Sequence, residues 1–131
     1  SRAYLVHGKK ITQLTEDHSL VNELVKYGEI TPEMAVNHPR KNVLVRSLGM
    51  PKTVETDIFY QSLTSQDQVL LCSDGLTNMV SDNQILLTLL DGTSTIEEKV
   101  QQLITTANDA GGTDNITALV IYVDGLEEES Q

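Results

Sequence analysis

Asp74 and Asp114 are the side chains in this sequence best placed to do chemistry. Asp74 stands at the end of the apolar run Gln68 to Cys72 and opens Asp74-Gly75, whereas Asp114 follows Gly111-Gly112-Thr113 and precedes the run Ile116 to Val123. One carboxylate therefore closes a strand and the other introduces one. If those strands are antiparallel neighbours, or belong to facing sheets, both acids reach the same edge. Two carboxylates held close repel each other, and a divalent cation with oxygen ligands relieves that repulsion. Hard ions such as Mg²⁺ or Mn²⁺ suit such a site, because they keep several waters and need no His or Cys cage. Ser73 and Gly75 would shape the bend, Gly75 through its freedom to take positive φ, and Asn115 would fix the second turn or hold a metal-bound water.

Other chemistries find less support. His7, His18 and His38 lack metal-ligand spacing, and no Gly-rich phosphate loop or Ser-His or Cys-His nucleophile pattern is present. Asp17, Asp57 and Asp91 read as surface or turn carboxylates. The single cysteine, Cys72, rules out an internal disulfide and sits in an apolar strand, where it reads as a small buried hydrophobe. With 131 residues, 39% of them apolar and 21% charged, the chain fits one small globular domain whose core is built from Leu, Ile and Val. A net charge of −10 argues against nucleic acid as a partner and is compatible with cation binding. No apolar run is long enough for a membrane span and no signal-peptide pattern opens the chain, so a cytoplasmic location is expected.

The elements that must position the acids are legible from pattern. Arg2 to His7 and Lys10 to Leu14 read as a hairpin around Gly8-Lys9. Leu20, Val21, Leu24 and Val25 recur at helical spacing after Ser19 or Asp17 as cap and before Gly28 as stop, and Thr31-Pro32-Glu33 starts a second short helix ending near His38-Pro39. Val54 to Gln61 reads as a strand, and Leu63 to Asp67 as the loop into the strand that precedes Asp74. Ser81 caps a helix over Asp82 to Leu90 that stops at Gly92, and Ser94 or Thr95 starts another that Gly111-Gly112 ends. Ile96, Val100, Leu103, Ile104 and Ala107 share one face of that last helix, which predicts that it lies on the sheet.

Three segments, Ser1-Arg-Ala-Tyr-Leu5, Cys72-Ser-Asp-Gly-Leu76 and Gly112-Thr-Asp-Asn115, resemble successive motifs of the metal-dependent protein serine/threonine phosphatases, the protein phosphatase 2C family. Gly8 to Ser19 and Arg46-Ser-Leu-Gly49 match the pattern of its bacterial branch, so the resemblance covers residues 1 to about 123. It implies an α+β fold, an antiparallel β-sandwich flanked by helices in four layers (αββα), of which this chain is about half. The implied arrangement is a carboxyl-terminal part of a phosphatase catalytic domain over 1–124, with a flap-like insertion at about 15–45, and an acidic tail over 125–131. In the family Gly-Asp precedes the Ser-Arg-x-Tyr segment, and an Asp-Gly-x-Gly-Gly metal motif, a phosphate-binding Arg and a His general acid lie upstream; none occurs in these 131 residues.

The resemblance further implies a two-metal site that hydrolyses phosphoserine and phosphothreonine on proteins, with Mn²⁺ or Mg²⁺ held in part by Asp74 and Asp114 and room for a third ion at Asp74. Arg40, Lys41 and Arg46 follow the flap-like segment in an otherwise acidic chain, where a basic contact to a phosphopeptide would lie; alternatively, Arg40 and Lys41 are solvated and Arg46 only buttresses the flap. The implied partners are phosphorylated proteins, a cognate serine/threonine kinase in bacterial signalling, and the missing amino-terminal half, without which these residues are expected to be inactive. The competing expectation is a non-catalytic phosphoprotein-binding or regulatory module on the same fold.

Overall fold

The computed structural model describes residues 1–49 and 53–125. Its framework is a four-stranded, wholly antiparallel sheet of β1 (Arg2–His7), β2 (Lys10–Gln13), β3 (Gln68–Cys72) and β4 (Ala118–Tyr122), in the order β2-β1-β3-β4. β1 and β2 form the hairpin expected from Gly8, which takes φ of 57°. β3 is central: Tyr4 pairs with Leu70, which pairs with Val120. Helices α4 (Asp82–Leu90) and α5 (Ile96–Asp109) cover one face of this sheet. Both start on full capping boxes, Ser81 with Gln84 and Thr95 with Glu98, so the first-turn N–H groups have acceptors before any packing.

The period-2 pattern of the strands and the 3.6-residue pattern of α5 meet in one core. Tyr4, Val6, Leu70 and Cys72 point from the sheet into Leu76, Ile85, Leu89, Leu103 and Ala107. Tyr4 is fully buried, and burial pushes its phenol up to about 12 although the Arg2 guanidinium donates to its oxygen at 3.0 Å. Burial likewise raises the Cys72 thiol, as expected of a cysteine that serves as a small hydrophobe.

The opposite sheet face is also apolar. Ala3, Leu71 and Leu119 lie side by side across the strands, as do Leu5, Val69 and Ile121. Leu71, Leu119 and Ile121 keep 42%, 49% and 47% of their surface exposed. An antiparallel sheet with one solvated face alternates apolar with polar residues, whereas this one is apolar on both sides.

The chain divides into two compact units, one of residues 1–16 and 62–131 that holds the sheet, and one of Asp17–Gln61. The second unit contains α1 (Leu20–Lys26), capped by Ser19, and α2 (Pro32–Val36), capped by Thr31 with proline at its start, as the sequence predicts. Its frame is a bridge between Ser19 and Leu44, flanked by Leu20 N–H to Val43 O at 2.9 Å and Val45 N–H to His18 O at 3.0 Å. The strand expected over Val54 to Gln61 does not form, because no strand of the described residues lies beside it to supply a ladder. The acidic tail falls largely on residues 126–131, outside the described residues.

Three carboxylates organise loops. Asp91 accepts from Thr93 N–H at 2.9 Å and from the Thr93 and Ser94 hydroxyls at 2.7 Å each, which together hold its pKa at about 2. Asp67 is held below the usual range by the Thr64 N–H, with help from His7, and Asp57 by Arg46 and then His18. A carboxyl more acidic folded than unfolded binds fewer protons in the native state, so its stabilisation is complete above the ordinary pKa of about 4 and is lost as pH falls through the folded value. The urea midpoint should therefore decline from about pH 4 towards pH 2. Asp91→Asn should unfold at lower urea than the parent at pH 6, with the gap closing by about pH 2. A gap independent of pH would show that the Asp91 charge is not what holds the turn.

Candidate functional site

β3 and β4 are antiparallel neighbours with Cys72 opposite Ala118, so the chain leaves β3 and enters β4 at the same end of the sheet. Asp74 begins α3 (Asp74–Thr77) just beyond β3, and Asp114 lies in the loop before β4; both side chains are exposed. Arg2 is opposite Cys72, so β1 starts at this end as well.

Ser73 couples the two acid-bearing segments. Its N–H donates to Thr117 O at 3.0 Å, its hydroxyl donates to Asn115 O at 3.2 Å, and the same oxygen accepts from Thr117 N–H at 3.0 Å. It stands at the N-cap of α3 yet makes no capping bond, since its oxygen is committed to the neighbouring loop. The expected Asp-Gly turn is in fact a single helical turn, and Gly75 does not take positive φ. Glycine is needed for another reason. A Cβ at position 75 would overlap the Asn115 carbonyl oxygen and lie 2.9 Å from the carbonyl carbon. Leu76, fully buried, then anchors the turn in the core.

On the other side, α5 ends at Ala110, with Gly112 N–H bonded to Ala107 O at 3.1 Å and Gly112 at φ of 53°. The Asp114 Oδ1 accepts from Asn115 N–H at 2.7 Å, which orients that carboxylate on its own backbone and leaves Oδ2 for other contacts. Asn115 thus contributes backbone on both counts: its N–H to Asp114 and its carbonyl to Ser73. Among the described residues no three His, Cys, Asp or Glu side chains gather as a metal cage.

The basic candidates belong to the second unit, apart from this sheet end in the sequence. Arg40 is exposed and Lys41 half-buried, with their N–H groups donating to His38 Nδ1 at 3.0 Å and His38 O at 3.1 Å. Arg46 donates to Asp57 at 2.9 Å and lies 3.7 Å from Glu55, while His18 contacts the other Asp57 oxygen at 2.7 Å. Asp57 is therefore a junction, and more than the surface carboxylate its sequence context suggests. Asp67, which sequence reasoning passed over, is 3% exposed and bonded to His7 at 2.7 Å and to the Thr64 N–H at 2.8 Å. Its only signal was a position at the end of a loop.

Known proteins resemble this chain in sequence and fold. A serine/threonine phosphatase, Stp, of Listeria monocytogenes is 50% identical over 124 residues, which is 95% of this chain and 49% of that protein. The solved serine/threonine phosphatase of Streptococcus agalactiae is 47% identical, with a TM-score of 0.88 over 94% of this chain and 50% of its own. The chain is homologous, over about half of their length, to serine/threonine phosphatases of the protein phosphatase 2C type. The catalytic domain of the serine/threonine protein phosphatase PstP, solved with two manganese ions, is 37% identical with a TM-score of 0.78, over 91% of this chain and 48% of its own. No family model matches the sequence. The chain spans about half the length of the curated relatives it matches.

The clamp between the two acidic segments gives a direct test. Gly75→Ala should lower stability by about 1–3 kcal/mol through overpacking against Asn115. Ser73→Ala should cost about 1 kcal/mol, the scale of a lost hydrogen bond. Denaturant midpoints measure both, and amide chemical shifts from Asp114 to Thr117 should move in each variant. Unchanged stability in Gly75→Ala would mean that the two segments are not in tight contact.

Proposed function

We propose that this chain is the carboxyl-terminal half of a metal-dependent phosphatase domain that hydrolyses phosphoserine and phosphothreonine on proteins. The observation that carries the proposal is the meeting of the Asp74 and Asp114 segments at one sheet end, locked by Ser73 and Gly75, in a fold shared with serine/threonine phosphatases. The donor set fits Mn²⁺ or Mg²⁺: two exposed carboxylates, hard anionic oxygens, on backbone fixed by cross-strand hydrogen bonds. Asp74 and Asp114 would hold the ions. When bound, such ions supply Lewis acidity at the phosphoryl oxygens and a nucleophilic water at neutral pH. PstP, with its two manganese ions, supports that reading.

The protein's own share is geometric. β3 and β4 fix two anionic groups at one rim, and the Ser73 bonds keep them from drifting apart as their charges repel. A residue preceding Ser1 would lie at the same rim, since Arg2 is in register with Cys72. That is where the family's Asp, and with it a third ion, would be placed. Two carboxylates offset two divalent charges incompletely, so these 131 residues alone should bind metal weakly and lack turnover. The apolar outer face of the sheet supports the half-domain reading, because a second layer would remove Leu71, Leu119 and Ile121 from water. The domain's substrates would be phosphorylated proteins, opposed by a serine/threonine kinase, in the cytoplasm. Among the described residues no helix is long and apolar enough to cross a membrane.

In the complete domain, Asp74→Asn and Asp114→Asn should each nearly abolish Mn²⁺-dependent hydrolysis of a small phosphate ester, because an amide does not supply the anionic oxygen. Unfolding midpoints measured without metal should stay near that of the parent. Near-normal turnover at limiting Mn²⁺ would make the acids turn residues, whereas no turnover in the parent domain would favour a non-catalytic binding module. Replacing Arg40 and Lys41 by Ala should reduce turnover of a phosphopeptide more than that of the small ester. Equal losses on both substrates would remove the second unit from substrate choice.

A further inference from the structure

Met79 follows the helical turn that carries Asp74 and reaches the loop that carries Asp114. A Cβ at Gly111, which takes φ of 137°, would lie 3.5 Å from the Met79 Sδ and 3.8 Å from the Thr113 Cγ2. Sulfur, glycine and threonine methyl thus converge just before Asp114. This contact is separate from the clamp of Ser73 and Gly75, which holds the far end of the same loop at Asn115 and Thr117.

The backbone on both sides of the contact is fixed. Met79 N–H donates to Leu76 O at 3.0 Å and Val80 N–H to the same oxygen at 2.9 Å, and Leu76 and Val80 are both buried. Gly111 N–H is committed to Asn108 O and Gly112 N–H to Ala107 O, at 3.1 Å each, which ties the start of the loop to the end of α5. Met79 itself is only half-buried, and Gly111 is exposed, so the sulfur packs at the margin of the core. It lies with the core on the helix-covered side of the sheet, not on the outer face of Leu71 and Leu119 that a second layer would cover. Cys72 is a poorer target for oxidants, because it is buried and its thiol is pushed away from the reactive thiolate.

We propose that Met79 is an oxidation site through which a peroxide weakens metal binding at Asp114. The inference rests on reading the rim of Asp74 and Asp114 as a metal site. A thioether lone pair attacks one oxygen of hydrogen peroxide, an S–O bond forms, the O–O bond breaks, and the other oxygen leaves as water with both protons. Sulfur is oxidised by two electrons and the peroxide is reduced by the same two. An apolar contact thereby becomes a polar, bulkier sulfoxide against Gly111 and Thr113. Its oxygen requires donors, and the N–H groups of Gly111 and Gly112 are already used. The sulfoxide turns towards water and displaces the loop, carrying Asp114 with it.

Hydrogen peroxide applied to the metal-free native protein that contains this chain tests the proposal. Peptide mass spectra should show one added oxygen on Met79, and the amide signals of Gly111 to Asp114 should move. The Mn²⁺ concentration for half-saturation should rise about 10-fold or more, the scale seen when groups that orient a metal ligand are altered. Methionine sulfoxide reductases should reverse all three changes. Met79→Leu, compared with its own untreated sample, should show neither the amide shifts nor the rise in half-saturation. Met79→Gln, which places a polar group at the same distance along the chain, should show both without peroxide. Ile85→Val, a core change that lowers stability, should leave half-saturation where it is. The proposal is overturned if Met79 stays unmodified when Met34, 56% exposed, is fully oxidised. Oxidation of Met79 that leaves the Gly111 to Asp114 signals in place, or an equal rise in half-saturation in Met79→Leu, overturns it too. Absence of Mn²⁺ binding in the untreated protein refutes the metal reading and this proposal with it, whereas binding that persists unchanged after Met79 is oxidised overturns this proposal alone.

Discussion

The carbonyl of Asn115 occupies the space that a side chain on residue 75 would need. That close approach, with the three hydrogen bonds through Ser73, makes the exit from β3 and the entry to β4 one piece of structure. The segments that carry Asp74 and Asp114 are held together by it. Carboxylates at the tips of independent loops would move apart to relieve their repulsion, whereas here the backbone beneath them is fixed by bonds that the side-chain charges do not disturb. Leu76 continues the constraint inward, since the same turn that presents Asp74 to solvent plants a fully buried leucine in the core. The exposed Asp74 and the core are thus tied through one helical turn.

The sheet itself is asymmetric in how its faces are covered, not in what they are made of. On one side α4 and α5 bury Leu70, Ile85, Leu89 and Leu103 completely. On the other, leucines and isoleucines of β3 and β4 remain about half exposed without polar neighbours on the same face. Hydrophobic burial contributes about 25 cal/mol per Å² of apolar surface, so a strand apolar on both faces gains its full share only when both are covered. Relatives twice as long as this chain fit that physical requirement.

The second unit follows a different logic. Its helices are short, of seven and five residues, and their caps satisfy few backbone groups. Isolated helices of this length are marginal, so side-chain pairs carry more of the organisation. Asp57 is the main example: its two oxygens take Arg46 and His18, and both partners help to hold its pKa below the usual carboxylate range. These are partly exposed pairs, with modest individual energies that salt screens further. A unit held this way adjusts more readily than the sheet.

Much of this was legible in the residues. The hairpin at Gly8, the capped starts at Ser19, Thr31, Ser81 and Thr95, and the strands at Gln68–Cys72 and within Ile116–Val123 are local signals, set by side chains that act on their own backbone or by alternation over a few positions. The order of motifs around Asp74 and Asp114 was equally local and was enough to indicate the phosphatase family. Three things were decided only by tertiary structure. Gly75 is required by a neighbour forty residues away, and not by its own φ; Ser73 gives up its cap to the opposite loop; Asp57 and Asp67 are junctions because of partners eleven to sixty residues distant. Val54–Gln61 shows the same limit from the other direction. Strand propensity is a property of the segment, but a strand is a property of a pair, and the backbone hydrogen bonds that define one must come from somewhere else in space.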